Sequence, residues 1–189
     1  MNDSYETLEF SNSNTFRTWL DVHYDSIDGV WLKLHKKHSG LESITYAEAL
    51  DVALCYGWID GQRRSFDETS FLQKYTPRRH RSLWSKRNIE HIARLIEAGL
   101  MTQAGLDEID KAKADGRWEA AYDGPSSMVI PDSFLKELNT HPKAQAKFDA
   151  MSKSARYSIG WQLQTAKSQK TIDARQKRII EQLGSDISS

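Results

Sequence analysis

A single cysteine, Cys55, among 189 residues leaves nothing for an internal disulfide and no CxxC metal or redox motif. No apolar run approaches the roughly 18 residues that a membrane-spanning helix needs. The opening Met1-Asn2-Asp3-Ser4-Tyr5-Glu6 lacks a cationic region ahead of an apolar stretch, so no secretory signal is expected and the expected location is cytoplasmic. Net charge is also missing. Lys and Arg number 26 and so do Asp and Glu, which removes any global polyelectrolyte argument for nucleic acid. There is no Gly-rich phosphate loop, no GxSxG elbow, no paired-carboxylate spacing and no internal repeat.

What is present is an ordinary soluble composition, 39% hydrophobic and 28% charged, enough for one domain with a small companion. The zero charge hides segregation. Residues 1–30 set Asp3, Glu6, Glu9, Asp21, Asp25 and Asp28 against Arg17, whereas 61–94 hold nine bases against Asp67, Glu68 and Glu90. Blocks of this kind match charge internally or between subunits, or mark a ligand footprint.

A short strand is expected near Thr7–Phe10, then a helix capped by Ser13 with Phe16, Trp19, Leu20 and His23 on one face. Residues 30–38 alternate as a half-buried strand, with Val30, Leu32 and Leu34 inward. Thr45-Tyr46-Ala47-Glu48 is a capping box opening a helix that stops at Gly57. Trp58–Phe66 and Thr69–Thr76 form a hairpin turning at Asp67-Glu68, with a bulge at Gly61. Ser85 caps a helix carrying Ile89, Ile92, Ala93 and Ile96 on one face, and Thr102 caps another that ends at Gly116. Asp123-Gly124-Pro125-Ser126-Ser127 is the clearest linker signal. Beyond it a short helix starts at Asp132 or Ser133, Pro142 suits a first turn, Ala155–Ala166 is a longer helix around Trp161, and Thr171–Leu183, closed by Gly184, carries Ile172, Ile179, Ile180 and Leu183 inward. The expected fold class is α+β. A small antiparallel sheet packed with helices fills residues 1–123, residues 124–127 link, and 128–184 form an all-helical C-terminal unit.

The runs Tyr46-Ala47-Glu48-Ala49-Leu50 and Ala53-Leu54-Cys55-Tyr56-Gly57-Trp58-Ile59-Asp60-Gly61 resemble the signature of the bacteriocin-protection, YdeI/OmpD-associated family. Pro77-Arg78-Arg79, Ser82, Trp84-Ser85-Lys86 and Asn88 continue the likeness, as do Gly99, Met101, Gly105, Ala112-Lys113 and Gly116-Arg117-Trp118. The C-terminal helices, with Trp161 and Ala166-Lys167, resemble that family's smaller domain. The likeness covers nearly the whole chain and departs at Ile172, where an arginine is expected after Thr171. It implies protection against bacteriocins and association with an outer-membrane porin, and it carries no established reaction.

Cys55 closes a helix at its negative end, with Glu48 and Asp51 earlier on the same face, which disfavours a thiolate; the expectation is a small buried hydrophobe. His35 and His38 fall on opposite faces of a strand, a poor chelate, and His23 completes an apolar stripe, so no metal site and no cofactor are expected. Asp60 precedes a glycine, which fits a turn or pairing with Arg63 or Arg64; as a pocket carboxylate it is a weak acid/base candidate together with His80. The best functional candidate runs from Tyr75 to Ser85. Arg78, Arg79 and Arg81 precede a helix start, where free N–H groups add to their field, and Trp84 and Tyr75 offer stacking surfaces. The expected anion or ligand site is therefore Arg78, Arg79, Arg81, Trp84, Ser85 and Lys86 with Arg63, unless acids such as Asp107, Glu108 or Asp110 fill the same niche.

The leading reading is a non-enzymatic stress- or bacteriocin-protection protein acting through a binding surface on a protein partner or anionic ligand. One rival is a nucleic-acid- or phosphate-binding module using the Arg78–Arg87 segment with Arg63 and Arg64. The other is an enzyme on a small anionic metabolite.

Overall fold

The computed structural model describes residues 5–185, so the opening Met1–Ser4, Asp3 among them, lies outside the described residues. The described chain forms two compact units, residues 5–82 with 88–119, and residues 83–87 with 120–185.

The first unit is built on a four-stranded sheet of β1 (Thr7–Leu8), β2 (Val30–His35), β3 (Trp58–Ser65) and β4 (Ser70–Pro77), in the order β1-β2-β4-β3. β2, β4 and β3 pair antiparallel, as expected, but β1 pairs parallel to β2, so the sheet is mixed. The reason is α1 (Ser13–His23), which carries the chain back along the sheet before β2 begins, the connection a parallel pair requires. The α1 cap is Asn12 and not Ser13. The Asn12 side chain accepts from the Thr15 backbone N–H at 3.0 Å and Thr15 answers at the Asn12 N–H, leaving Ser13 inside the first turn.

Val30, Leu32 and Leu34 alternate inward opposite Tyr75, Gln73 and Phe71, and the Phe16 ring of α1 meets Tyr75 at 6.0 Å. β2 stops at His35, short of the expected 38, and its other face is covered too. Trp31 is buried beneath the Lys74 ammonium of the adjacent β4 at 5.8 Å and the Arg64 guanidinium at 4.4 Å, which reaches over from β3, one strand further out. His38 sits in the 3-10 turn Lys37–Ser39 and not on the face of the strand opposite His35.

α2 (Tyr46–Cys55) opens with the expected box, Thr45 N–H donating to Glu48 at 2.8 Å. The hairpin turn and the bulge are also as expected, the register shifting between Asp60 and Arg63. α3 (Lys86–Glu97) differs. It buries Asn88, Ile92 and Leu95, while Ala93 is exposed and Ile96 is 48% exposed. The helix is turned by a clamp: His91 Nδ1 lies 2.7 Å from Asp51 of α2, and Arg94 reaches the same carboxylate at 2.7 Å. α4 (Gln103–Ala114) is capped by Thr102, as expected. Gly105 lets it approach the end of α2 so closely that a Cβ there would lie 2.3 Å from the Cys55 carbonyl oxygen.

The second unit contains α5 (Asp132–Leu138), α6 (Pro142–Ala150), α7 (Lys153–Gln164) and α8 (Gln169–Gly184). Phe134, Leu138, Ala144, Phe148, Ile159, Leu163, Ile179 and Ile180 form its core. Ile172 and Leu183, expected inward, are only half-buried. Among the described residues no helix is long and apolar enough to cross a membrane.

Candidate functional site

The one sequence-nominated arginine that is buried lies at the base of the hairpin. α2 ends at Gly57, whose φ of +73° reverses the chain directly into β3, a conformation that favours glycine. The Gly57 carbonyl then accepts from the Arg78 backbone N–H at 3.0 Å, joining the start of β3 to the end of β4. Around this junction is a concavity of about 340 Å³. Its aromatic wall is Tyr24, Tyr56 and Trp58, and Trp58 is fixed by its indole N–H donating to the Tyr24 carbonyl at 2.9 Å. Arg78, 7% exposed, lines it with Pro77. α4 supplies the opposite side through Gln103, Asp107, Glu108 and Lys111, and Asp25 completes it.

The electrostatics are mixed. Glu108 holds the Lys111 ammonium at 2.8 Å, which raises the Lys111 pKa, and Asp107 accepts from the Gln103 amide at 2.7 Å. The Tyr56 hydroxyl donates to Asp21; burial first, then that carboxylate, pushes the phenol up to about 12, so it stays protonated. Three carboxylates, two cations and three aromatic rings thus face one small volume.

Arg63 and Arg64 are placed elsewhere and on opposite sheet faces, Arg63 stacked 3.8 Å over Phe71 and Arg64 over Trp31. Arg79, His80 and Arg81 are exposed on a turn that Ser82 closes, its hydroxyl accepting from the Arg79 N–H at 2.9 Å. Trp84, Ser85 and Lys86 belong to the second unit. There Trp84 is buried, Ser85 bridges Tyr122, and the Lys86 ammonium meets Asp123 at 2.7 Å. An internal acid therefore takes Lys86, but it is Asp123 and not Asp107, Glu108 or Asp110. Of the nominated set only Arg78 lines the concavity.

Residues 8–108, more than half of the chain, match the family described as Domain of unknown function (DUF8412). The chain belongs to that family. Residues 127–185 match the family described as Bacteriocin-protection, YdeI or OmpD-Associated, which supports the resemblance for the C-terminal part alone. No curated protein and no solved structure matches the chain. All but Lys111 of the concavity's lining falls within the DUF8412 match.

In the same DUF8412 region Asp60 is a strand residue, neither capping a turn nor paired to a neighbouring arginine. Its carboxylate accepts from the Tyr46 hydroxyl at 2.7 Å. Neither Asp60 nor His80 lines the concavity. Cys55 is fully buried, and burial pushes its thiol up, with Asp51 adding to the rise. Glu48 is occupied at its own helix cap. The opposing influence is the Arg17 guanidinium, 3.4 Å from the sulfur. Tyr24, Asp25, Tyr56 and Trp58 were not nominated from sequence. Gly57-Trp58 and Pro77-Arg78 belong to the family-like runs, and their pairing at the two strand ends is the signal that unites them.

Proposed function

We propose that the protein is a non-enzymatic binding protein of the bacteriocin-protection kind, active in the cytoplasm, which takes a short peptide segment into the concavity at Trp58 and Arg78. The observation that carries this reading is the mixed lining. Arg78 and Lys111 suit backbone carbonyl or carboxylate groups, Asp25 and Asp107 suit basic side chains, and Tyr24, Tyr56 and Trp58 suit an apolar body. The family matched by residues 127–185 supports the setting.

Calorimetry with a short peptide bearing lysine, tryptophan and glutamate, and separately with inorganic phosphate, tests it. Peptide binding that weakens in Asp107→Asn and in Arg78→Lys supports the reading. Asp107 is exposed, so its substitution leaves the fold intact. Binding of phosphate alone, lost in Arg79→Ala, would favour the anion-binding module instead, and steep salt dependence with single-stranded DNA would extend that to nucleic acid.

A further inference from the structure

A second, independent concavity lies within the C-terminal unit, in the groove between α7 and α8. It encloses about 680 Å³ and is lined by Tyr157, Ser158, Trp161, Gln162, Arg175 and Arg178. Tyr157 and Trp161 are one helical turn apart on α7, and Arg175 and Arg178 are one turn apart on α8, so each pair shares a face. Two rings and two guanidinium groups thus converge.

The arginines are held by neutral groups. Arg175 donates to the Gln162 carbonyl and to the Thr165 hydroxyl at 3.3 Å, and Arg178 donates to the Gln162 side-chain oxygen at 3.0 Å. Among the described residues no carboxylate pairs with either. Asp173, on the same helix, is taken by Gln169 at 2.7 Å. A guanidinium carries roughly five N–H donors in a fixed fork, so both retain donors for a ligand. Trp161 is 38% exposed, and the Tyr122 ring meets it edge-on at 6.2 Å and 85°, which sets the plane of the indole while leaving part of it open.

We propose that this groove binds a phosphomonoester joined through a sugar to an aromatic base, the chemistry of a nucleotide, supplied either as a free mononucleotide or as the phosphorylated end of a single-stranded nucleic acid. Two uncompensated guanidinium groups match the roughly −1.5 to −2 charge of a phosphomonoester better than the single charge of a carboxylate. Trp161 and Tyr157 provide the surface on which a base stacks, an interaction indifferent to base identity. The groove is within the size of small-molecule sites and is separate from the concavity at Arg78, so either proposal stands or falls without the other.

The test is titration of the full chain, followed by calorimetry and tryptophan fluorescence, with adenosine monophosphate, adenosine, inorganic phosphate and a short 5′-phosphorylated oligodeoxyadenylate. Adenosine monophosphate is expected to bind and to quench emission, with adenosine and phosphate each weaker by about tenfold or more, since each lacks one half of the recognition. Arg178→Gln, at an exposed position, is expected to weaken binding by about tenfold, the loss of one charge-assisted contact. Trp161→Leu is expected to weaken it and abolish the quenching. Tighter binding of the oligonucleotide identifies a nucleic-acid end as the source, and binding of the mononucleotide alone identifies a free nucleotide. Absence of binding by both overturns the proposal. So does binding unchanged in both variants, or capture of an acidic tyrosine-containing peptide without any nucleotide binding.

Discussion

Asp123 binds the ammonium of Lys86 at 2.7 Å, yet the two residues invest unequally in the contact. The Asp123 side chain is 8% exposed and also accepts from the Gln164 amide at 2.7 Å and the Val129 N–H at 3.2 Å, whereas the Lys86 side chain is 61% exposed. Lys86→Ala is expected to cost at most about 1 kcal/mol, as for other solvent-facing pairs. Asp123→Ala takes the acceptor from the half-buried Gln164 amide and from the Val129 N–H as well as from Lys86, and is expected to cost about 2 kcal/mol. Urea unfolding of both variants checks the asymmetry, and equal losses would contradict it.

Asp67 gives a pH dependence of definite sign. Ser70, first through its side chain and also through its N–H at 2.6 Å, and Thr69, through its N–H at 2.8 Å and its hydroxyl at 3.0 Å, hold the Asp67 carboxylate's pKa at about 2, below the ordinary 3.8. A depressed folded-state pKa stabilises above the unfolded value and is lost as pH falls through the folded one. The contribution is thus full at neutrality and fades between about 4 and 2. Asp67→Asn keeps an acceptor and loses the charge, so its stability deficit is expected to shrink across that window. A deficit constant with pH would argue against the turn's charged hydrogen bonds.

Cys55 is expected to be chemically quiet. Full burial and a raised pKa both suppress the thiolate at neutral pH, and one guanidinium neighbour does not reverse that. Thiol labelling of native protein should be far slower than of urea-unfolded protein and should rise only at alkaline pH. Labelling at equal rates in the two states would overturn it.

The boundary at 124–127 between a body of 1–123 and a helical unit of 128–184 is a proposal for limited proteolysis. Asp123 and Gly124 are buried, while Pro125, Ser126 and Ser127 are exposed. The first cut is expected after Ser126 or Ser127 and not at Asp123. Early cleavage within the hairpin or α7 would count against the division.

The capping box at Thr45, the cap at Thr102, the Asp67 turn and the Gly61 bulge were legible because each rests on local chemistry at fixed spacing. The face of α3 was not. Ile89, Ala93 and Ile96 form as good an apolar stripe as the one buried, and the choice was made by Asp51, forty positions away in sequence from His91. The parallel pairing of β1 was hidden for a similar reason, because two residues of strand carry no directional signal. At the candidate site Arg78, Arg79 and Arg81 read alike in sequence, and a single backbone bond from Arg78 to Gly57 separates the buried one from the two on the surface. Much of the motif run that carried the family resemblance lies in the part matched to DUF8412, so the likeness extended further along the chain than the bacteriocin-protection match does.

Among the described residues no strand lies on the far side of β3. A protein whose formal charge is zero at neutral pH has no net repulsion between copies, and an open strand edge is then the place where two copies would zip together. Here that edge is broken by the shift between Asp60 and Arg63 and carries Gln62, Arg63 and Arg64 on its exposed stretch. The distortion breaks the register a second strand would need. The bulge beside Gly61 therefore also makes this edge a poor template for a second strand, in a chain that has no net charge to hold copies apart.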